Sequence, residues 1–148
     1  MATRLIQSAS VFLDSAYAIA LGSATDELHE DALTLAEELE SSGTHLLTTS
    51  AVLLEIANAL SKVQYHRAAV RLISSLRADP IVEIVALSDH LLEQAITLYS
   101  ERADKDWGLT DCVSFVVMRE RGLTEALTAD DHFRQAGFRP LLRRVTER

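Results

Sequence analysis

Four acidic side chains have the types and positions that metal-dependent chemistry needs. Asp14 directly follows the apolar run 11–13, and Asp130 follows a second apolar run. Asp111 opens an almost wholly apolar stretch, and Glu55 borders an amphipathic stripe. Carboxylates that converge on one pocket repel each other unless a cation neutralises them. Because hard divalent cations take oxygen ligands, the four acids predict a site for Mg²⁺ or Mn²⁺.

Each of these acids also has an ordinary structural explanation. Asp14 suits a helix N-cap, and Asp111 suits the positive end of a helix. Asp130, like its neighbour Asp131, suits a turn, and Glu55 suits an exposed helix surface. The set of four is therefore more specific than any one of its members.

Short apolar runs predict the strands that must position these acids. They lie at residues 11–13, 45–49, 81–87 and 126–128, with a short edge strand at 140–142, where Pro140 suits an edge. Strands that alternate with helices predict an α/β protein with a mostly parallel sheet of four to five strands. Ligands bind beyond the carboxyl ends of such strands, which is where Asp14 and Asp130 fall.

Helical periodicity and caps predict the remaining elements. One helix opens after Asp14, and others cover about 25–42, 50–63, 67–76, 88–102 and 110–122. In the helix that follows residue 50, the predicted core stripe is Val52, Ile56, Leu60 and Val63. The predicted N-caps are Ser50, Ser88 and Thr110.

Other catalytic signatures are absent from the sequence. It has no P-loop, GxGxxG, GxSxG or HExxH motif. The five histidines share no metal-ligand spacing and are interpreted as surface or packing residues, with His132 alone near the acids. Cys112 is the only cysteine, which excludes an internal disulfide and predicts a buried thiol. Trp107 and Tyr17 suit core or rim positions better than base stacking.

Length and composition bound the fold class. A chain of 148 residues that is 48% hydrophobic and 24% charged suits one folded domain over residues 1–148 and excludes intrinsic disorder. Asp14 interrupts the apolar N-terminal stretch, and no run is long enough to span a membrane. With a single cysteine, these features predict a cytoplasmic protein without a membrane partner.

The net charge of −8 is unevenly distributed. Seven of the 22 acidic residues lie between Asp26 and Glu40, a segment without Lys or Arg, which predicts a solvated helix face. The rest of the chain is nearly neutral and carries two basic runs: Lys62, Arg67, Arg71 and Arg77, and then Arg139, Arg143, Arg144 and Arg148. The acidic total therefore does not exclude a nucleic-acid partner.

Four segments carry a family resemblance in a fixed order. They are VFLDS at 11–15, TSAVLLEI at 49–56, DWGLTDCVSFVVM at 106–118 and LTADDHF at 127–133. Together they resemble a PIN domain, and most closely the VapC-type toxin-like proteins, over about residues 11–138. The resemblance implies a three-layer α/β/α sandwich that binds Mg²⁺ or Mn²⁺. The family's four acids fall on Asp14, Glu55, Asp111 and Asp130, with Asp131 and Asp106 as alternatives.

The resemblance also implies a function. The expected activity is metal-dependent hydrolysis of RNA phosphodiester bonds, without a covalent enzyme intermediate, leaving 5′-phosphate and 3′-hydroxyl ends. Asp14, Asp111 and Asp130 are expected to be metal ligands, and Glu55 a ligand or the residue that orients water. The expected role is the toxin of a type II toxin–antitoxin pair. Its expected partners are a small antitoxin, often with an Arg in the acidic pocket, and a second copy in a homodimer.

Two other functional classes compete with this interpretation. A non-catalytic PIN-like module would bind RNA or a protein, but it has no need of four intact acids. A phosphatase or phosphorelay receiver on a similar sheet is disfavoured, because the first strand ends without Asp-x-Asp and no suitably placed Lys follows the later strands.

The charge distribution predicts where RNA contacts the protein. Charge reversal at Arg67 and Arg71 should weaken RNA binding. It should also reduce the salt dependence of binding, because fewer counterions are released from the RNA when fewer phosphates are contacted. Neutralising Glu37 and Glu38 should leave RNA binding nearly unchanged. Fluorescence anisotropy titrations of labelled RNA over a salt series check both expectations, and equal weakening by the two pairs would contradict them.

Overall fold

The strands form one parallel sheet in the computed structural model, which describes residues 5–143. The sheet has five strands in the order β3-β2-β1-β4-β5, and every neighbouring pair is parallel. The strands are β1 (Ser10–Leu13), β2 (His45–Thr49), β3 (Val82–Val85), β4 (Glu125–Leu127) and β5 (Arg139–Pro140). The predicted α/β class and its parallel sheet are confirmed.

The strand order creates a crevice beside the central strand. From β1 the chain builds β2 and β3 on one side, and it then crosses back to place β4 on the other side. Leu13 of β1 is in register with Leu127 of β4, so the two strands end together. A reversal of this kind is a topological switch point, where parallel sheets bind ligands.

Seven α-helices cover the sheet within residues 5–143. They are α1 (Ser15–Gly22), α2 (His29–Ser42), α3 (Ser50–Ala59), α4 (His66–Ala78), α5 (Asp89–Glu101), α6 (Leu109–Arg121) and α7 (Asp131–Gln135), with a 3₁₀ turn at Val63–Tyr65. Val11, Phe12 and Leu13 are all at most 1% exposed. Because successive strand side chains point to opposite faces, both faces of β1 are covered, as in the predicted α/β/α sandwich. None of these helices is both long and apolar enough to cross a membrane.

Several predicted boundaries are wrong. The predicted strands at 81–87 and 140–142 extend past β3 and β5, which end at Val85 and Pro140. The acidic helix begins at His29 instead of 25, because Asp26 Oδ1 accepts a hydrogen bond from Leu28 N and forms a turn first. Val63 is 94% exposed, because α3 ends at Ala59 before the apolar stripe can continue. Strand β4 starts and ends one residue before the predicted strand.

The helix caps also differ from the prediction at two of three positions. Thr49 caps α3 by accepting a hydrogen bond from Val52 N, while Ser50 Oγ accepts one from Leu87 N at 2.8 Å. Gly108, instead of Thr110, occupies the N-cap position of α6. Ser88 is confirmed as the cap of α5.

An aromatic cluster forms the core beneath the carboxyl edge of the sheet. The ring of Phe115 lies 4.9 Å from Trp107, 5.0 Å from Phe133 and 5.6 Å from Phe138, measured between centroids. Trp107 is 4% exposed and donates its Nε1 proton to Gln135, so its predicted core role is confirmed. This cluster joins the start of α6 to α7.

Helix α2 is more than the solvated face expected from its charge. Glu38 accepts hydrogen bonds from Leu5 N at 2.9 Å and from Ile6 N at 2.6 Å. Asp31 is 6% exposed and accepts a bond from Arg143 N at 2.8 Å. Two carboxylates of this helix therefore hold segments near both ends of the described chain.

Glu125 holds the same region from the sheet side. It is 2% exposed, accepts hydrogen bonds from Gln7 N and Ser8 N, and forms an ion pair with Arg139. Arg139 also donates to Leu5 O at 2.8 Å. Arg139 of the C-terminal basic run is thus paired with Glu125, and Arg144 and Arg148 of that run lie outside the described residues.

Removing the Glu125 carboxylate should destabilise the fold strongly. Glu125→Ala leaves two backbone donors and a half-buried Arg139 without their acceptor, at an expected loss of about 2–4 kcal/mol in the free energy of unfolding. Glu83→Gln is the control, because it cuts an exposed ion pair to Arg121 and should cost at most about 1 kcal/mol. Chemical denaturation measures both variants, and equal losses would contradict the assignment.

Candidate active site

A threonine hydroxyl links two of the predicted acids across the β1–β4 crevice. Asp14 directly follows β1, and Thr128 directly follows β4. Thr128 Oγ1 donates to Asp14 Oδ2 at 2.8 Å and accepts from Asp130 N at 3.1 Å. Asp14 occupies the N-cap position of α1 without a capping hydrogen bond, so the N-cap explanation does not account for its side chain.

A second group joins the start of α6 to the start of α7. His132 Nδ1 lies 3.0 Å from Asp111 Oδ2 and 3.3 Å from Asp130 Oδ1. One ligand atom from each of these three residues lies within 4.8 Å of the others. Asp111 Oδ2 also accepts from Gly108 N at 3.1 Å, and Asp130 Oδ1 from His132 N at 2.9 Å. The helix-end explanations of these acids therefore hold alongside their convergence.

The fourth acid enters from the helix that follows β2. Glu55 is half-buried in α3, and the hydroxyl of Ser15 donates to its Oε1. Ser15 follows Asp14 directly, which places Glu55 against the same end of β1. The expectation that Glu55 could be an ordinary exposed helix charge does not fit this contact.

Burial and nearby negative charge disfavour the charged forms of two of these acids, Asp14 and Asp111. Burial raises the pKa of Asp14 to about 7; the hydrogen bond from Thr128 opposes this shift, and the charges of Glu55 and Asp111 add to it. Burial also raises the pKa of Asp111, with Asp130 adding to the shift and the Gly108 N–H and His132 opposing it. Within residues 5–143, no Lys or Arg forms an ion pair with any of the four acids. Such a donor set fits a divalent cation.

The two alternative acids lie differently. Asp131 pairs with Arg134 at 3.0 Å and accepts from Gln135 Nε2 at 3.3 Å, so its oxygens are engaged on the exposed side of α7. Asp106 is exposed in the loop before α6. Neither joins the group formed by Asp111, Asp130 and His132.

Sequence reasoning missed three residues that contact the acids. His132, interpreted from the sequence as a surface or packing residue, contacts Asp111 and Asp130, and its position two residues after Asp130 is the signal for this contact. Ser15 and Thr128 follow Asp14 and β4 directly, but no spacing rule reveals that their hydroxyls bond to Glu55 and Asp14. Cys112 is buried as predicted, and burial raises the pKa of its thiol.

Comparison with known proteins places this geometry in a family. Residues 11–139 match the family model of the PIN domain. The chain belongs to the PIN domain family. This PIN domain is 31% identical over 128 residues to the 23S rRNA-specific endonuclease VapC20 of Mycobacterium tuberculosis, in strains CDC 1551 / Oshkosh and H37Rv. The match covers 86% of this chain and 95% of VapC20.

The fold of this chain is also similar to a solved structure. The crystal structure of Mycobacterium tuberculosis VapC20, described as a sarcin-ricin loop cleaving toxin, superposes with a TM-score of 0.78 at 29% identity. It covers 90% of this chain and 99% of the VapC20 chain. The predicted family and its VapC-type subgroup are confirmed.

The raised pKa of Asp14 predicts how the metal-free protein responds to pH. Folding holds a proton on Asp14 that the unfolded chain releases near its ordinary pKa of 3.8, so stability falls as pH rises from there through about 7. Asp14→Asn removes the free-energy cost of ionising the buried carboxyl, and its amide oxygen still accepts the hydrogen bond from Thr128. In EDTA the variant should be more stable than the parent by on the order of 2 kcal/mol at about pH 8, and by less at about pH 5.

Denaturant unfolding at the two pH values checks this expectation, with the exposed Glu37→Gln as a control that should show no such difference. Added Mn²⁺ should stabilise the parent more than Asp14→Asn, because only the parent offers the full set of carboxylates. A parent that is as stable as Asp14→Asn in EDTA at the higher pH would contradict the prediction.

Proposed function

We propose that this PIN domain is a metal-dependent endoribonuclease acting as the toxin of a type II toxin–antitoxin pair. The observation that carries the proposal is the group of Asp111, Asp130 and His132 beside Asp14 and Glu55 at the β1–β4 switch point. No Lys or Arg of the described residues is paired to these acids. The prediction of a toxin-class endoribonuclease is confirmed by the family match and the likeness to VapC20. The metal requirement and the roles of the four acids are our proposal.

Each acid has a distinct place in the proposed reaction. Asp14, Asp111 and Asp130 would hold Mg²⁺ or Mn²⁺, and Glu55 would bind the ion or orient the attacking water. The bound ion would polarise the phosphodiester and make a water molecule nucleophilic near neutral pH. The Ser15 hydroxyl donates to one Glu55 oxygen, which would leave the other oxygen free to orient that water. The water would attack phosphorus in line with the 3′-oxygen, whose bond to phosphorus would break to leave a 5′-phosphate and, after protonation, a 3′-hydroxyl.

Two further groups would hold the acids in position. The Thr128 hydroxyl fixes one oxygen of Asp14 and leaves the other available. The imidazole of His132 lies between Asp111 and Asp130, where it limits their repulsion and sets the orientation of their carboxylates. Residues that orient ligands in this way affect metal affinity almost as much as the ligands do.

The surface beside α7 suits the RNA backbone. A cavity of about 600 Å³ is lined by Asp131, Arg134, Arg139 and Arg143, together with apolar side chains. Asp131 directly follows the predicted ligand Asp130, so the cavity adjoins the acids. Arg134 and Arg143 are exposed there, and arginine forks suit phosphate groups.

The partners follow from the proposed role. VapC20 is named for 23S rRNA and described as cleaving the sarcin-ricin loop, so a structured ribosomal RNA loop is the first substrate class to test. We propose a small antitoxin and a homodimer as protein partners, with the cytoplasm as the place of action because the proposed substrate is cellular RNA. The domain is proposed to occupy residues 1–148.

Removing a metal ligand should abolish cleavage without unfolding the protein. Asp14→Asn and Asp111→Asn should each lower RNA cleavage by roughly 100-fold or more and relieve growth inhibition, because they remove a ligand charge. Asp104→Asn is the control, since Asp104 pairs with Arg102 on the exposed surface. EDTA should stop cleavage by the parent, and Mn²⁺ or Mg²⁺ should restore it.

Gel assays with purified protein and circular dichroism of each variant make the comparison. Retained cleavage by both ligand variants would overturn the proposal. Absence of Mn²⁺ uptake in a calorimetric titration of the parent would instead favour a non-catalytic PIN-like binding module.

A further inference from the structure

A small cavity opens beside Glu55, on a flank of the acids different from the one that carries the arginines. Its volume is about 300 Å³, and helices α3, α5 and α6 supply most of its wall. Five of its lining residues are apolar leucine or valine side chains: Leu54, Leu87, Leu92, Leu109 and Val113. Nothing in the proposed metal chemistry uses this cavity.

The cavity wall combines exposed apolar surface with unpaired polar groups. Leu54 is 61% exposed and Leu109 is 37% exposed, so both present apolar surface at the cavity. The amide of Asn58 and the hydroxyl of Thr110 also line the cavity. Within residues 5–143, neither side chain has a hydrogen-bonding partner. Apolar walls with a few convergent polar groups are typical of a site for a flat, partly polar ligand.

The cavity is continuous with the predicted reaction centre. Glu55 lines it and also bonds to Ser15, the residue after Asp14. Thr110, on the opposite wall, directly precedes Asp111. A ligand in the cavity would therefore contact Glu55 and lie next to the residue that precedes Asp111, within reach of a nucleotide beside the cleaved phosphate.

We propose that this cavity binds one nucleobase of the RNA substrate, next to the cleaved bond, and that Asn58 reads its edge. The inference rests on the proposed ribonuclease function. Leu54 and Leu109 provide apolar contact for the base, while the Asn58 amide offers one donor and one acceptor group to its hydrogen-bonding edge. The base must be unstacked to enter, so the substrate segment is single-stranded or looped.

A second copy of this chain is the competing occupant, because exposed leucines also occur at subunit interfaces. Three observations favour a base. The feature is a concave cavity, it shares Glu55 with the acids, and it carries two polar side chains without partners at its wall. The experiment therefore includes the oligomeric state as one of its readouts.

The test maps cleavage sites on a pool of single-stranded RNA oligonucleotides with a randomised central segment, in Mn²⁺, by sequencing the products. The parent should prefer one base at a single position next to the cleaved bond. Asn58→Ala and Thr110→Val should weaken that preference by roughly tenfold at this position alone, since each removes a hydrogen bond to the base. Leu54→Ala should weaken binding of the same RNAs without changing the preferred base.

Matched controls are Gln64→Ala for the amide and Leu33→Ala for the exposed leucine, since neither residue lines this cavity. Both should cleave with the parental preference. A parent without base preference, or an Asn58→Ala protein with the parental preference, would overturn the inference. Light scattering measures the mass of Leu54→Ala in solution. A changed mass, together with an unchanged base preference in Asn58→Ala, would overturn the inference and indicate a subunit interface.

A binding measurement separates this inference from the proposed function. Anisotropy titrations compare binding of intact RNA with binding of RNA that lacks the base at the preferred position. If no cleavage occurs, RNAs that each lack the base at a different position are compared instead. An RNA that lacks the base should bind the parent more weakly and should bind Asn58→Ala no differently from intact RNA. Failure to cleave any RNA would overturn the proposed function, whereas equal binding of all these RNAs to the parent would overturn the nucleobase site.

Discussion

The burial of the Asp14 carboxyl beside two other acids is the constraint on which the rest of this structure depends. Asp14 is almost fully buried, and Glu55 and Asp111 both add to the cost of ionising it. A fold that gains nothing from this arrangement would replace the acids with apolar residues of similar size. The proposed divalent cation would offset this charge on binding. Stability and proposed chemistry are therefore linked at the same carboxylates.

The fold holds these charges together through contacts that extend well beyond the site. Because β1 and β4 are in parallel register, both strands end at the same edge of the sheet. The Thr128 hydroxyl after β4 then donates a hydrogen bond to Asp14 after β1. Beneath the acids, Phe115 packs against Trp107 and Phe133, which fixes the start of α6 relative to α7. Repulsion between Asp111 and Asp130 is thus opposed by apolar packing directly below them.

Much of this architecture follows from local sequence patterns, and the exceptions have physical causes. Apolar runs identified all five strands, because parallel strands are buried on both faces and need no alternation. Val63 continues the apolar spacing of α3 although the helix ends at Ala59, and periodicity alone does not detect where a helix stops. Thr49 and Ser50 are both good caps, so only their partners distinguish them. The hydroxyl contacts of Ser15 and Thr128 join residues that are distant in sequence, which local patterns cannot reveal.

The contacts of helix α2 have a topological consequence. Glu38 binds the backbone at Leu5, and Asp31 binds it at Arg143. These two carboxylates are two turns apart on one helix, or about 10 Å along its axis at 1.5 Å per residue. The first and last described residues therefore lie close together, with Gln7 and Ser8 at the strand edge opposite the acids. The segment 5–143 therefore suits circular permutation, in which a short linker joins residues 5 and 143 and new ends open in a surface loop away from the acids.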